Sequence, residues 1–195
     1  ATQLFEDAKK MLATIIQEKW LTANGVIGIW EAEKRGDDIK VQFENQVEEF
    51  HFLRQQNEFK QGKPNRCLTD FVASKDESAK DYLGGFAVTT GIGIEKHLER
   101  FEADHDDYSS IMLKALADRL AEGFAELMHK KVRTEIWGYT ASEDLSNDDL
   151  IKENYQGIRP APGYPACPEH TEKETLFKLL DANSIGMQLT ESMAM

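Results

Sequence analysis

Apolar residues recur along the chain with two different periods, and the points where the period changes divide it into helices and strands. Over residues 4–18, Leu4, Phe5, Ala8, Met11, Leu12, Ile15 and Ile16 recur at i, i+3 and i+4, with Lys9, Lys10 and Gln17 on other faces. That spacing predicts an amphipathic helix packed on one side. Asn24-Gly25 interrupts it, and the apolar run over 25–30 is of strand type. A charged turn at Arg35-Gly36-Asp37-Asp38 leads into Ile39-Lys-Val-Gln-Phe43, which alternates apolar and polar. The two runs therefore predict a β-hairpin with one buried face. Residues 46–58 fit both periods, since Val47, Phe50 and Leu53 suit a helical turn and Phe50-His-Phe52 a strand; they read as loop or short helix. Residues 67–73 and 85–90 predict two further strands that extend the sheet, separated by a charged surface loop at 74–80.

The longest periodic stretch, 106–131, carries a stripe of Met112, Leu116, Leu120, Phe124, Leu127 and Met128 flanked by Leu113, Ala117 and Ala121. It predicts the principal core helix, with Asp106 and Asp107 at its start and Lys130, Lys131 and Arg133 at its end, as the helix dipole favours. Asp118, Glu122 and Glu126 form a second row at four-residue spacing, either solvated or turned toward a cationic or polar partner. Trp137-Gly-Tyr139 predicts a short extended piece. Residues 146–149 and 171–174 each carry a capping-box pattern that opens a helix, the second burying Leu176, Phe177, Leu179 and Leu180. From Ile185, Met187 and Leu189 alternate with Gln188 and Thr190 and predict a terminal strand whose abrupt stop reads as a truncated piece of a larger domain.

Composition narrows the class. A chain of 195 residues with 41% hydrophobic and 30% charged residues predicts one soluble domain over 1–195. No apolar run reaches the length of a membrane span, and no signal-peptide pattern opens the chain. Cys67 and Cys167 fall outside CxxC spacing and point to neither a disulfide framework nor a zinc site, so a reducing, cytoplasmic setting is expected. The net charge of −12 argues against nucleic acid as a partner.

Candidate chemistry is concentrated in Arg159-Pro-Ala-Pro-Gly-Tyr-Pro-Ala-Cys-Pro-Glu-His-Thr-Glu-Lys173, which holds four of the five prolines. Proline fixes φ and removes a backbone donor, so Pro160, Pro162, Pro165 and Pro168 exclude a helix or a central strand and predict a stiff, extended loop. Such a loop leaves backbone groups open to a ligand. Arg159 offers a planar fork for a carboxylate, Gly163 offers backbone access, and Tyr164 offers a flat face with a polar tip. The Pro160–Gly163 backbone can pair with an adenine-like edge or an amino group, and together these groups suit a small zwitterionic ligand. The blander alternative is a proline-rich linker, although linkers are normally polar and repetitive. Taken singly, Arg159 would read as a structural ion pair and Tyr164 as a core aromatic. No GxSxG, Walker, HExxH or dinucleotide fingerprint marks a catalytic residue. His170, close to Glu169 and Glu172, reads as a capping or surface residue rather than a metal ligand.

The same fifteen residues resemble the signature of the activation domain of cobalamin-dependent methionine synthase. The resemblance continues through Leu53-Arg-Gln-Gln56, Asp70-Phe-Val-Ala73, His105-Asp-Asp-Tyr108, Ala117-Asp-Arg-Leu-Ala-Glu122, Trp137-Gly-Tyr139, Leu145-Ser-Asn147 and Glu153-Asn-Tyr-Gln-Gly-Ile-Arg159, and so covers nearly the whole chain. It implies an α+β fold, a C-shaped single domain with a twisted antiparallel sheet flanked by helices, that binds S-adenosylmethionine in a shallow groove. It further implies a part in a methyltransferase of methionine biosynthesis (5-methyltetrahydrofolate–homocysteine methyltransferase). There, cobalamin held by a neighbouring cobalamin-binding domain lapses to cob(II)alamin and is remethylated, with an electron from flavodoxin or a related flavoprotein and a methyl group from S-adenosylmethionine. By the resemblance Arg159 holds the ligand carboxylate, the backbone of Pro160 and Ala161 and the Gly163-Tyr164 pair line the adenosine side, and the protein supplies orientation with no catalytic residue of its own. Asp118 and Glu122 become candidates for the surface that meets the cobalamin domain. Family members carry an acidic residue before residue 1 and a strand rich in glycine and aromatics after residue 195, so the chain is expected to be incomplete at both ends and inactive alone. The contrasting expectation is a non-catalytic structural or interaction domain that docks to a cobalamin domain without binding the ligand.

Overall fold

The computed structural model describes residues 2–58, 62–74 and 80–194. They form an α+β fold with a four-stranded antiparallel sheet and flanking helices, as expected. The chain falls into two compact units, Ala1–Gly25 with Val88–Ser142 and Val26–Ala87 with Glu143–Met195.

The first unit is mainly helical. Helix α1 (Thr2–Glu18) stands where the period predicts it and buries Ile15 against Phe101 and Leu113. Trp20 stacks on His97 with ring centroids 4.3 Å apart. Helix α2 (Glu95–Ala103), which the periodicity reading left out, brings Leu98 and Phe101 to this cluster. Helix α3 (Asp107–Lys131) is capped by Asp106, whose carboxylate accepts the Ser109 N–H at 3.0 Å. Its expected stripe is only partly a core face: Met112 and Met128 are buried, whereas Leu127 is 49% exposed. Beyond α3 the ladder widens into a π turn (Val132–Ile136), with the Trp137 N–H donating to the Val132 carbonyl at 2.9 Å. Gly138 then takes φ 74, so Trp137-Gly-Tyr139 is a turn with its two rings edge-on, not the predicted extended piece.

The second unit holds most of the sheet. Strands β1 (Thr22–Arg35), β2 (Asp38–Phe43), β3 (Gln46–His51) and β4 (Asp81–Ile92) lie in the order β3-β2-β1-β4. The boundary between units falls inside β1 and β4. The predicted hairpin is present, with Arg35 opposite Asp38 across the turn at Gly36. Residues 46–51 are a strand rather than a loop or short helix, because Ile39 pairs with Phe50 and the Phe50 and Phe52 rings stack at 5.3 Å. The core gathers Trp30, Ile39, Val41 and Phe50 from the sheet with Phe177, Leu179 and Leu180 from α5 (Glu172–Leu180). Lys178 ties α5 to β3 through Glu48 at 2.6 Å. Trp30 lies so close to the backbone of Gly85 that an added Cβ would come within 3.0 Å of the ring.

Three further expectations need correction. Residues 67–73 form a 3-10 turn (Leu68–Phe71) instead of a strand, because the Asp70 carboxylate accepts the Cys67 N–H at 3.0 Å and closes the chain on itself. Thr171 does not cap α5, as detailed below. Residues 187–190 form no strand: Asp181 (φ 49) and Gly186 (φ 88) bracket a 3-10 turn (Ala182–Ile185) that deflects the chain, although Met187 still reaches the core. The expected strand at 85–90 lies within β4, and residues 75–79 of the expected surface loop are outside the described residues.

Candidate functional site

The proline-rich loop runs between α4 (Asn147–Ile151) and α5, both in the second unit. Helix α4 starts on a complete capping box: Ser146 Oγ accepts the Asp149 N–H at 3.2 Å, and Asp149 accepts the Ser146 N–H at 3.2 Å. The Ser146 hydroxyl and Asn154 bonds hold the Asp149 carboxyl below the usual carboxylate range. At the other end Glu169 Oε1 accepts both the N–H and the hydroxyl of Thr171, at 2.9 and 3.0 Å. The Thr171 side chain is thereby turned away from its own helix, which explains the missing cap.

Between these ends the chain is bonded inward. The Tyr164 N–H donates to the Ala161 carbonyl at 3.0 Å, the Cys167 N–H to Tyr164 at 2.9 Å, and the Gly163 N–H to Cys167 at 2.8 Å. The Cys167 thiol adds a fourth bond, to the Ala161 carbonyl at 3.0 Å. Seven residues, 161–167, are thus closed into a double turn, and fewer backbone groups are open than an extended loop would offer. The Ala161 N–H is one that makes no protein hydrogen bond among the described residues. Gly163 has φ 102 and lies under the His170 imidazole, whose Nε2 and Nδ1 would be 2.7 and 2.9 Å from an added Cβ. Both facts require glycine here. They also give His170 a role, as the ring packed on the turn.

The double turn rests on a brace. The Leu68 N–H donates to the Ala166 carbonyl at 2.8 Å, joining the loop to the 3-10 turn. That turn is held by Asp70, which Arg54 grips with two bonds of 2.7 and 2.8 Å while also reaching Asp37 at 2.6 Å. The Arg54 guanidinium and then the Cys67 N–H pull the Asp70 carboxyl from 3.8 down to about 2. Cys67 and Cys167 are 0% and 2% exposed, and burial pushes the Cys167 thiol up to about 11. Arg54, Asp70 and Cys167 went unassigned in the sequence reading. The signal was available, since all three belong to the strings shared with the family.

Of the predicted site residues, Arg159 and Pro160 are half-buried at the entrance to the double turn, and Ala161 and Gly163 are exposed on it. Tyr164 is 63% exposed, so it is no core aromatic and its side chain is open to solvent. Asp118 and Glu122 are exposed on α3, in the first unit.

Comparison with known proteins places this geometry. Over residues 1–195 the chain matches the family described as vitamin B12 dependent methionine synthase, activation domain. It is similar to the crystal structure of the MetH reactivation domain bound to AdoHcy, with a TM-score of 0.90 and 53% sequence identity, over 100% of this chain and 61% of that one. The chain therefore spans about three fifths of the length of that relative. A match over every residue, on a loop braced by the very strings that carried the resemblance, shows that the chain belongs to the vitamin B12 dependent methionine synthase activation domain family.

Proposed function

We propose that this chain is a S-adenosylmethionine-binding module serving the reductive remethylation of cobalamin in a methionine synthase. The observation that carries the reading is the braced double turn with the Ala161 N–H open and the Tyr164 ring exposed, supported by the AdoHcy that the 53%-identical relative is described as binding. AdoHcy is S-adenosylmethionine without the transferable methyl group, so one pocket accommodates both.

In this reading the Arg159 guanidinium takes the ligand carboxylate, and Pro160, Ala161 and Gly163 present backbone to the adenosine side. Tyr164 covers the ligand with its ring. The protein's contribution is orientation: a turn fixed by four internal hydrogen bonds is already ordered before the ligand arrives, which lowers the entropic cost of binding. Cobalamin supplies the methyl-accepting metal chemistry and belongs to a neighbouring domain of the enzyme. Toward that domain we assign Asp118 and Glu122, and the electron donor is flavodoxin or a related flavoprotein. The module is a part of a methyltransferase that acts in the cytoplasm and has no turnover of its own.

Calorimetric titration of the 195-residue chain with S-adenosylmethionine and with AdoHcy tests the proposal. Binding of both is expected, weakened on the order of 10-fold or more in Arg159→Ala, the loss typical of a charge-assisted hydrogen bond. Absence of heat with a well-folded protein would favour the docking domain that binds no ligand.

A further inference from the structure

Within the first unit, α1, α3 and the start of β1 enclose an open groove of about 660 Å³. Its floor is apolar, formed by Ile16, Leu21, Leu120, Phe124 and Leu127. Ile16 is 67% exposed and Leu127 49% exposed, on two facing helices. Neighbouring aliphatic side chains left open in this way mark a contact surface. Gly123 lies in the same groove, and an added Cβ there would meet nothing within 4 Å. The groove therefore has room for side chains from outside.

Its charge is the reverse of the chain's. Although the protein carries a net charge of −12, no acidic residue lines the groove, and its two charged lining residues are Lys19 and Arg119. Neither forms an ion pair among the described residues. Lys19 also holds left-handed backbone, φ 53, in the position after α1 where the Trp20 N–H closes back on the Ile15 carbonyl at 3.1 Å. Glycine is the usual residue there. A lysine kept in that conformation sets a cation at the rim of the groove. Asp118 and Glu122 occupy another row of α3, roughly 100° or more around the helix from Gly123 and Leu127, so the groove is distinct from the face assigned above to the cobalamin domain.

We infer that this groove docks an amphipathic helical segment of a partner protein, its apolar face seated on the floor and its flanking carboxylates meeting Lys19 and Arg119. Other occupants fit less well. Two cations fall short of the cluster that holds a protein on anionic lipid. An open groove does not enclose a small ligand as a pocket does. A symmetric second copy would set Lys19 and Arg119 against the same cations.

The test is fluorescence anisotropy of the full 195-residue chain with labelled helical peptides of about 18 residues. One peptide carries leucines at i, i+3, i+4 and i+7 with glutamate flanks, one the same leucines with lysine flanks, and one a scrambled sequence with glutamate flanks. The glutamate-flanked helix is expected to bind roughly 10-fold tighter than the lysine-flanked one, with the difference shrinking at high salt. The scrambled peptide is expected not to bind. Lys19→Glu with Arg119→Glu is expected to invert the preference, and Leu127→Asp or Ile16→Asp to remove binding with the circular dichroism spectrum unchanged. Equal binding of both charge patterns would overturn the proposal. So would binding retained by both apolar-to-Asp variants, or tighter association with phosphatidylglycerol vesicles than with any peptide.

Discussion

The double turn at 161–167 and the end of α1 both contain a residue with left-handed backbone, and they fill that position in opposite ways. At Gly163 the conformation, φ 102, is met by the residue that tolerates it, and the space a side chain would need is taken by His170. At Lys19 it is met by a residue that does not favour it, on an exposed helix end. The first region has its hydrogen bonds turned inward and is braced from beneath. The second leaves aliphatic side chains and two cations facing out. A binding loop for a small ligand needs stiffness and a docking face needs exposed groups, so the contrast matches the two roles proposed for these regions.

The largest effect is expected at Gly163. Gly163→Ala should cost about 2 kcal/mol, from positive φ and from the clash with His170, and should weaken ligand binding; urea denaturation measures the first and calorimetry the second. Adding His170→Ala should recover the clash but not the backbone cost. Full recovery would mean that φ plays no part.

The next effect concerns the brace. Arg54 lowers the Asp70 carboxyl from 3.8 to about 2 in the folded protein, so folding favours the ionised form. That stability is complete above the unfolded-state value and is lost as pH falls through the folded one. Urea midpoints should therefore drop between about pH 4 and pH 2, modestly, because both partners are partly exposed. In Arg54→Met the drop across this window should flatten, and an unchanged pH profile would remove Asp70 from the brace.

The smallest effect is expected at the groove. Lys19→Gly should stabilise the protein by about 0.5 kcal/mol, since glycine suits the position after a helix. The same variant should lose part of the preference for acid-flanked peptides. Gly163→Ala and Lys19→Gly thus carry opposite signs, and thermal melts of the pair measure the difference directly.

Much of this fold is legible from spacing alone. Helices α1 and α3 and the β1–β2 hairpin stand where the apolar period puts them, although the stripes of the two helices are only partly buried, Leu4, Phe5 and Ile16 of α1 and Leu127 of α3 being exposed. Residues 67–73 misled because the bond from the Cys67 N–H to Asp70 is a local polar closure with no apolar signature, and its support, Arg54, is 16 residues from Asp70. Strand β3 depends on its partner β2, and no periodicity within 46–51 could supply that partner. The prolines correctly ruled out helix and central strand at 159–168. They could not reveal that the Cys167 thiol and the His170 ring close the loop on itself, because both contacts exist only after the turn has formed. The brace was present in the sequence as two separate strings, and only the fold joins them.

The burial of Cys167 has a chemical consequence. S-adenosylmethionine is a sulfonium, and its methyl group is open to attack by any nearby thiolate. Burial pushes the thiol up to about 11, so Cys167 stays protonated at neutral pH, and its S–H donates to the Ala161 carbonyl at 3.0 Å. A sulfur that is structurally useful in the wall of the proposed site is thereby kept from becoming a competing methyl acceptor.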